Sequence, residues 1–259
     1  LRRELDEAGG RNKVLVLAGD GSFCNRTCLA EIPERSVLLV RARKDAKLCF
    51  RALASAPGGP RRFYGTEKFT PEQVRQDQSR EWKTTKIFYG GKRRKIRYKE
   101  VAEVYWQRGA KQRPLRLIVI APTPYRKNRS KKLYYRDPAY LFTTDLRSSP
   151  KQLLQIYFDR WQIEVNHREE KDTLGGGQAQ LWNVTSVPKQ PVLAVAAYSA
   201  LLLASLQVFG AERGAAYAQL PKWRRTARRP SCLDLITLLR KEIAQQPTSL
   251  DQFNLQIAN

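Results

Sequence analysis

The strongest constraint on the fold is a pair of unbroken apolar runs joined by one short helical stretch. "KVLVLAGD" (13–20) is apolar without alternation and ends in a small-residue turn and Asp20. Such a run reads as a buried strand with Asp20 at its C-terminal end. "GSFCNRTCLAEI" (21–32) has the make-up of a short helix, and "SVLLVRAR" (36–43) is a second strand. A helical crossover returns the chain to start a strand running the same way, so the two strands are expected to be parallel neighbours. The core is therefore expected to be α/β. "AYLFTTD" (139–145) adds another apolar strand much later in the chain.

From about residue 45 the character changes. "APGGP" (56–60) is a break. Between 61 and 137 there are 23 Lys and Arg against 7 Asp and Glu, a net +16 out of +24 for the whole chain. That imbalance points to a polyanionic partner. Nucleic acid fits best, ahead of an anionic membrane or an acidic protein. Within the basic stretch "KTTKIFYG", "RKIRYKEV" and "LRLIVIAP" read as antiparallel strands, with a Gly-Gly turn in "YGGKRRK" (89–95). The organisation read from the sequence is a partial core over 1–44, a basic β-rich insertion over 45–138, the rest of the core over 139–210, and a helical region over 211–259.

"SSP" (148–150) offers a capping Ser and a Pro for the first helical position. It predicts one long helix from about 150 to 173, ended by "GGG" (175–177). Two more helices are expected near 190–209 and 231–246. The first contains "VLAVAAYSALLLASLQVF" (192–209), long enough to span a membrane, but Ala- and Ser-rich and preceded by Pro188 and Pro191. It is read as a buried core helix. Cys24 and Cys28 are spaced poorly for zinc, and His167 is the one histidine. The four cysteines are read as plain thiols of a reducing compartment. The chain contains no methionine, so a fragment or an excised domain is expected.

In "YFDRWQIEVNHREEK" (157–171), Tyr157, Arg160, Glu164 and Lys171 fall at offsets 0, 3, 7 and 14. On one helix they share an arc of roughly 60°, and Arg168 joins them. Glu164 has Arg160 four residues before it and Arg168 four after. Two readings fit the spacing. One is a solvated face of i, i+4 ion pairs. The other is a carboxylate metal ligand among cations that grip phosphate, with Tyr157 and Trp161 as aromatic neighbours.

The pattern Y-x2-R-x3-E-x6-K resembles the signature of the YREK group of bacterial insertion-sequence DDE transposases. The flanks are similar too: "YLFTTD" resembles the strand before that family's last acid, and "VLVLAGDGSF" with "SVLLVRAR" resembles the strand bearing its middle acid. The resemblance covers the chain to about residue 210. It implies a ribonuclease-H-like mixed sheet with flanking helices. It makes Asp20 and Glu164 catalytic ligands for two Mg2+ or Mn2+ ions, close enough to share them. It assigns DNA contacts to Tyr157, Arg160, Arg168 and Lys171, and stacking on an unpaired base to Trp161 and, less directly, to Tyr140. It also implies a cytoplasmic protein acting on double-stranded transposon ends, a homodimer on DNA, with no membrane role.

The family's first Asp has no counterpart on an early strand. Only Asp6 precedes Asp20. Asp145, 19 residues before Glu164, is read as a turn or cap residue. The N-terminal strands of the core are therefore expected to be missing, and the chain is read as the C-terminal part of the catalytic domain. Three functions stay open: a transposase, probed by metal-dependent nicking; a non-catalytic DNA-binding remnant of one; and a basic RNA-binding protein, separable by DNA and RNA competition.

Overall fold

β1 (Leu15–Gly19) and β2 (Ser36–Arg41) pair in parallel, Leu15 opposite Ser36 and Gly19 opposite Val40. The link between them holds a single 3-10 turn, Gly21–Phe23, and α2 (Arg26–Ala30), with Asn25 capping α2 by accepting the Cys28 N–H at 3.0 Å. Ahead of β1 lie α1 (Arg2–Leu5) and an irregular turn, Asp6–Gly10. The computed structural model describes residues 1–52, 62–90, 92–127, 132–178, 180–210 and 231–245. They fall into two compact units, Leu1–Arg160 and Trp161–Asn259.

The first unit is built on a mixed six-stranded sheet in the order β1-β2-β8-β5-β4-β3, where β3 is Lys83–Tyr89, β4 Lys92–Val104, β5 Leu115–Ile120 and β8 Ala139–Thr143. All pairs but the first are antiparallel. The hairpin from β3 to β4 closes on Tyr89 opposite Lys92, and Gly90 takes the φ of +58° that a side chain would resist. The 45–138 stretch is thus β-rich without being a separate module. Its strand β5 and the later β8 are hydrogen-bonded neighbours, and β8 also pairs with β2, so the stretch supplies half of the core sheet. A two-stranded ribbon, β6 (Pro124–Tyr125) with β7 (Tyr134–Tyr135), stands apart from it.

Both faces of the sheet are covered, which explains why its strands read as continuous apolar runs. Leu38, Val40, Leu117, Val119, Tyr140 and Phe142 point into one core with Leu29 of α2 and Val74 of α3 (Pro71–Gln76). α4 (Gln107–Ala110) adds Ala110 there. The alternate positions Leu39, Ile118, Ile120 and Leu141 face Leu153 and Leu154 of α5 (Pro150–Asp159). Ser149 and Gln152 form a reciprocal capping box at the start of α5, with Pro150 at its first turn. Gln155 pins α5 to β3 by bonding the Phe88 N–H and C=O at 2.8 and 2.9 Å.

The second unit holds α6 (Gln162–Asp172), α7 (Lys189–Phe209) and α8 (Cys232–Gln245). α7 packs through one stripe, Ala194, Tyr198 and Ser205. The Tyr198 hydroxyl bonds Asn166 and Glu169 of α6, each at 3.0 Å. The expected buried core helix is corrected: 17% of its apolar window is buried, and Leu193, Leu203 and Val208 are exposed. Its length and composition would let it cross a membrane.

Candidate metal and nucleic-acid site

Asp20 stands where β1 ends, and its position follows from the turn after it. The carboxylate Oδ1 accepts the Ser22 N–H at 2.8 Å and the Ser22 hydroxyl at 2.5 Å. These bonds hold its carboxyl below the usual range, and the Arg160 charge lowers it further. Asp20 is exposed and ionised at neutral pH, a hard oxygen donor of the kind Mg2+ prefers. Arg160 follows the last residue of α5. Of the residues singled out from sequence, Asp20 and Arg160 are electrostatically linked within the first unit.

The other early acids are committed elsewhere. Asp6 ties Arg2 to Arg35, taking the Arg35 guanidinium at 2.7 and 3.0 Å. Asp145 caps the turn ahead of α5, where its Oδ1 accepts the Arg147 and Ser148 N–H groups at 2.8 and 2.9 Å. Burial pushes its pKa up, but the Ser148 and Arg147 bonds outweigh that and leave it lowered. This is the turn role expected for Asp145.

Tyr140 is a correction. The predicted stacking residue lies in the core at 5% exposure, and its hydroxyl donates to Glu72. Burial and that bond push its pKa up to about 12. The Tyr140 side chain projects from the sheet face into the core that α2 and α3 share, so a base reaches it only if that layer moves. Tyr157, in contrast, is half-buried, edge-on to Phe158 with centroids 5.5 Å apart.

The single helix predicted over 150–173 is the second correction. α5 ends at Asp159 and α6 starts at Gln162. Arg160 and Trp161 keep right-handed dihedrals, but the Trp161 carbonyl takes both the Glu164 N–H at 3.1 Å and the Val165 N–H at 3.3 Å. That tightened turn divides the signature. Tyr157 and Arg160 belong to the first unit; Trp161, Glu164, Arg168 and Lys171 belong to the second. No Gly or Pro marks the break, so the sequence carried no signal for it.

In the second unit, Asn166 and Glu169 turn toward α7 and α8, Glu169 also accepting the Cys232 N–H at 3.4 Å. Glu164, Arg168 and Lys171 are exposed, and Trp161 is 53% exposed. Among the described residues no three His, Cys, Asp or Glu side chains form a metal-holding group.

The hairpin β3–β4 adds a charged surface that sequence reasoning placed only in bulk. Lys86 lies directly opposite Lys95, and Arg93 and Arg97 stand exposed on the same face. Like charges opposed across a hairpin destabilise it in isolation, and phosphates relieve that repulsion. Nearby, Trp82 covers Lys99 and Arg97, whose charges lie 4.8 and 5.4 Å from its ring. The buried Lys99 ammonium donates to the carbonyls of Val74, Arg75 and Asp77 at 3.2, 2.9 and 2.6 Å, closing the end of α3. No family model matches the chain, and no curated protein matches it.

Proposed function

We propose that this chain carries catalytic-core elements of an insertion-sequence DDE transposase with a ribonuclease-H-like fold. The observation that supports this most is the place of Asp20 directly after β1, which pairs in parallel with β2 in a mixed sheet, with its carboxylate ordered by the Ser22 N–H and hydroxyl. Asp20 and Glu164 are assigned as carboxylate ligands, and both are exposed. Bound Mg2+ or Mn2+ would polarise the scissile phosphate and ease deprotonation of the attacking hydroxyl. Arg160, Arg168 and Lys171 hold phosphates, Tyr157 contacts the strand end, and Trp161 offers a face for an unstacked base. The lysines and arginines of the β3–β4 hairpin bind the duplex backbone. On this reading the protein is cytoplasmic, works on double-stranded DNA as a homodimer, and uses α7 for packing among protein helices.

A second reading, a DNA-binding derivative without cleavage, is favoured by the engagement of Asp6 and Asp145 in structural bonds. One experiment separates the two. Supercoiled plasmid is incubated with the purified chain and Mn2+, and duplex affinity is measured with and without the ion. The expected outcome for this chain alone is tighter binding with Mn2+ and no nicking, with the ion's effect lost in Asp20→Ala and Glu164→Ala. Nicking lost in both variants would show that the chain itself completes a three-carboxylate site. An Mn2+ effect that survives both substitutions would remove the metal assignment.

A further inference from the structure

At the sheet end where β2 and β5 finish and β8 begins, a cleft of about 420 Å³ opens in the first unit. Its aromatic lining is Tyr89, Tyr125, Tyr135, Tyr157 and Phe158. Tyr89 and Phe158 are tilted together at 4.8 Å, and Phe158 meets Tyr157 edge-on. Arg136 sits over two of these rings, 5.4 Å from the centre of Tyr125 and 5.9 Å from that of Tyr89. Arg41, at the end of β2, brings a second exposed guanidinium to the rim. The exposed Asp137 is the one carboxylate among the lining residues.

We propose that this cleft binds one unpaired nucleotide within a DNA single strand, its base against the tyrosine rings and its phosphate on Arg41 and Arg136. Three features carry this. Flat π-faces beside guanidinium groups suit a base joined to a phosphate, and stacking works with every base. The volume is that of a small-molecule pocket, too small to admit a base-paired duplex. The basic, aromatic character also continues beyond the cleft along the β6–β7 ribbon. There Tyr125 and Tyr134 lie 5.7 Å apart, with the Lys127 and Lys132 ammonium groups 5.0 and 5.5 Å from the Tyr134 ring. A mononucleotide would use the cleft alone; a strand uses the ribbon as well. The cleft shares Tyr157 with the strand-end contact proposed above, and it needs neither Asp20 nor Glu164.

The test uses the full chain in EDTA, so that its result is independent of the metal reading. Fluorescent dT12, the same oligomer with an abasic centre, a duplex, an RNA 12-mer and free dTMP are titrated by anisotropy. Variants are Tyr125→Ala, Tyr125→Phe and Arg136→Gln, with thermal melts to confirm folding. Tyr125→Ala and Arg136→Gln are expected to weaken dT12 about 10-fold while duplex affinity moves less than about 2-fold. Tyr125→Phe keeps affinity. A 2-aminopurine placed centrally in the strand is quenched by the wild type and not by Tyr125→Ala. Equal losses on duplex and single strand would reduce the cleft to a charged patch and overturn the proposal. So would unchanged binding to the abasic strand, tighter binding of the RNA, or dTMP competing as well as dT12.

Discussion

α5 lays Leu153 and Leu154 against the sheet and buries both, whereas none of the eleven residues of α6 is buried. The two helices share one sequence signature, so the difference lies in what holds each half. Tyr157 lies on, and Arg160 directly follows, a helix fixed by core packing, a capping box and the two Gln155 bonds to β3. Glu164, Arg168 and Lys171 sit on a helix held by polar contacts of Asn166 and Glu169. α6 spends its surface on charge, which suits a ligand-facing helix and contributes little to stability.

The largest effect should come from breaking the α5 side. Leu154→Ala removes a fully buried side chain beneath the sheet and should cost about 2–5 kcal/mol in urea unfolding. Ile163→Ala, 49% exposed on α6, should stay within about 0.5 kcal/mol. Equal losses at the two positions would erase the contrast.

pH adds a second probe of the first unit, where the Tyr140 hydroxyl is hydrogen-bonded to Glu72. Arg75, with the Tyr140 hydroxyl and Gln76, lowers the Glu72 pKa to about 2 against the penalty of burial. A carboxylate depressed on folding stabilises above its unfolded value of 4.5, and that stability is lost as pH falls toward about 2. Tyr140 runs the other way. Its folded pKa of about 12 lies above the ordinary 10, so stability declines as pH rises between them. Glu72→Gln should cost roughly 1–2 kcal/mol at neutral pH, after allowance for its partial exposure, and should flatten the acid limb of a stability–pH curve. An unchanged acid limb would show that the pair contributes nothing.

Much of this architecture was legible. Apolar runs gave β1, β2 and β8, shorter alternating pieces gave β3, β4 and β5, and the parallel pairing of β1 and β2 followed from the crossover rule. The capping Ser and Pro150 of "SSP" marked the start of α5, and the structure adds Gln152 as the reciprocal partner of Ser149. Three features were not legible. The α5–α6 break leaves right-handed dihedrals on both sides and uses no breaker residue. The burial of Tyr140 depends on β8 lying between β2 and β5, and strand order is not written in a strand's own residues. The limited burial of α7 depends on its neighbours, since apolar content alone cannot tell a core helix from one packed on a single stripe. For the candidate site, residue types pointed to Asp20 and the charged signature. The ordering of Asp20 by Ser22 and the cleft beside Tyr157 needed three dimensions.

Substituting the two aromatics read as stacking residues tests whether either of them contacts the proposed DNA ligand. Tyr140→Phe loses the bond to Glu72 and should cost about 1 kcal/mol of stability with duplex affinity unchanged. Trp161→Ala should do the reverse, leaving the melting temperature in place and weakening binding to an end carrying an unpaired base about 5- to 10-fold. A loss of affinity in Tyr140→Phe would mean that the core tyrosine reaches the ligand.

The smallest effect is the most discriminating, because it asks whether α6 charge acts on phosphate or only on water. Arg168→Gln removes one exposed guanidinium from a helix without buried residues. Stability should change by less than about 0.5 kcal/mol. If Arg168 neutralises one phosphate, the slope of log affinity against log salt should become shallower by about 0.9, uniformly across duplex sequences. Arg93→Gln on the β3–β4 hairpin should shift the slope by the same amount, since a phosphate contact does not depend on the element that presents it. The two changes should add in the double variant, as expected for independent sites. A slope altered by Arg93→Gln but not by Arg168→Gln would confine duplex binding to the hairpin and leave the α6 stripe as a solvated face of ion pairs.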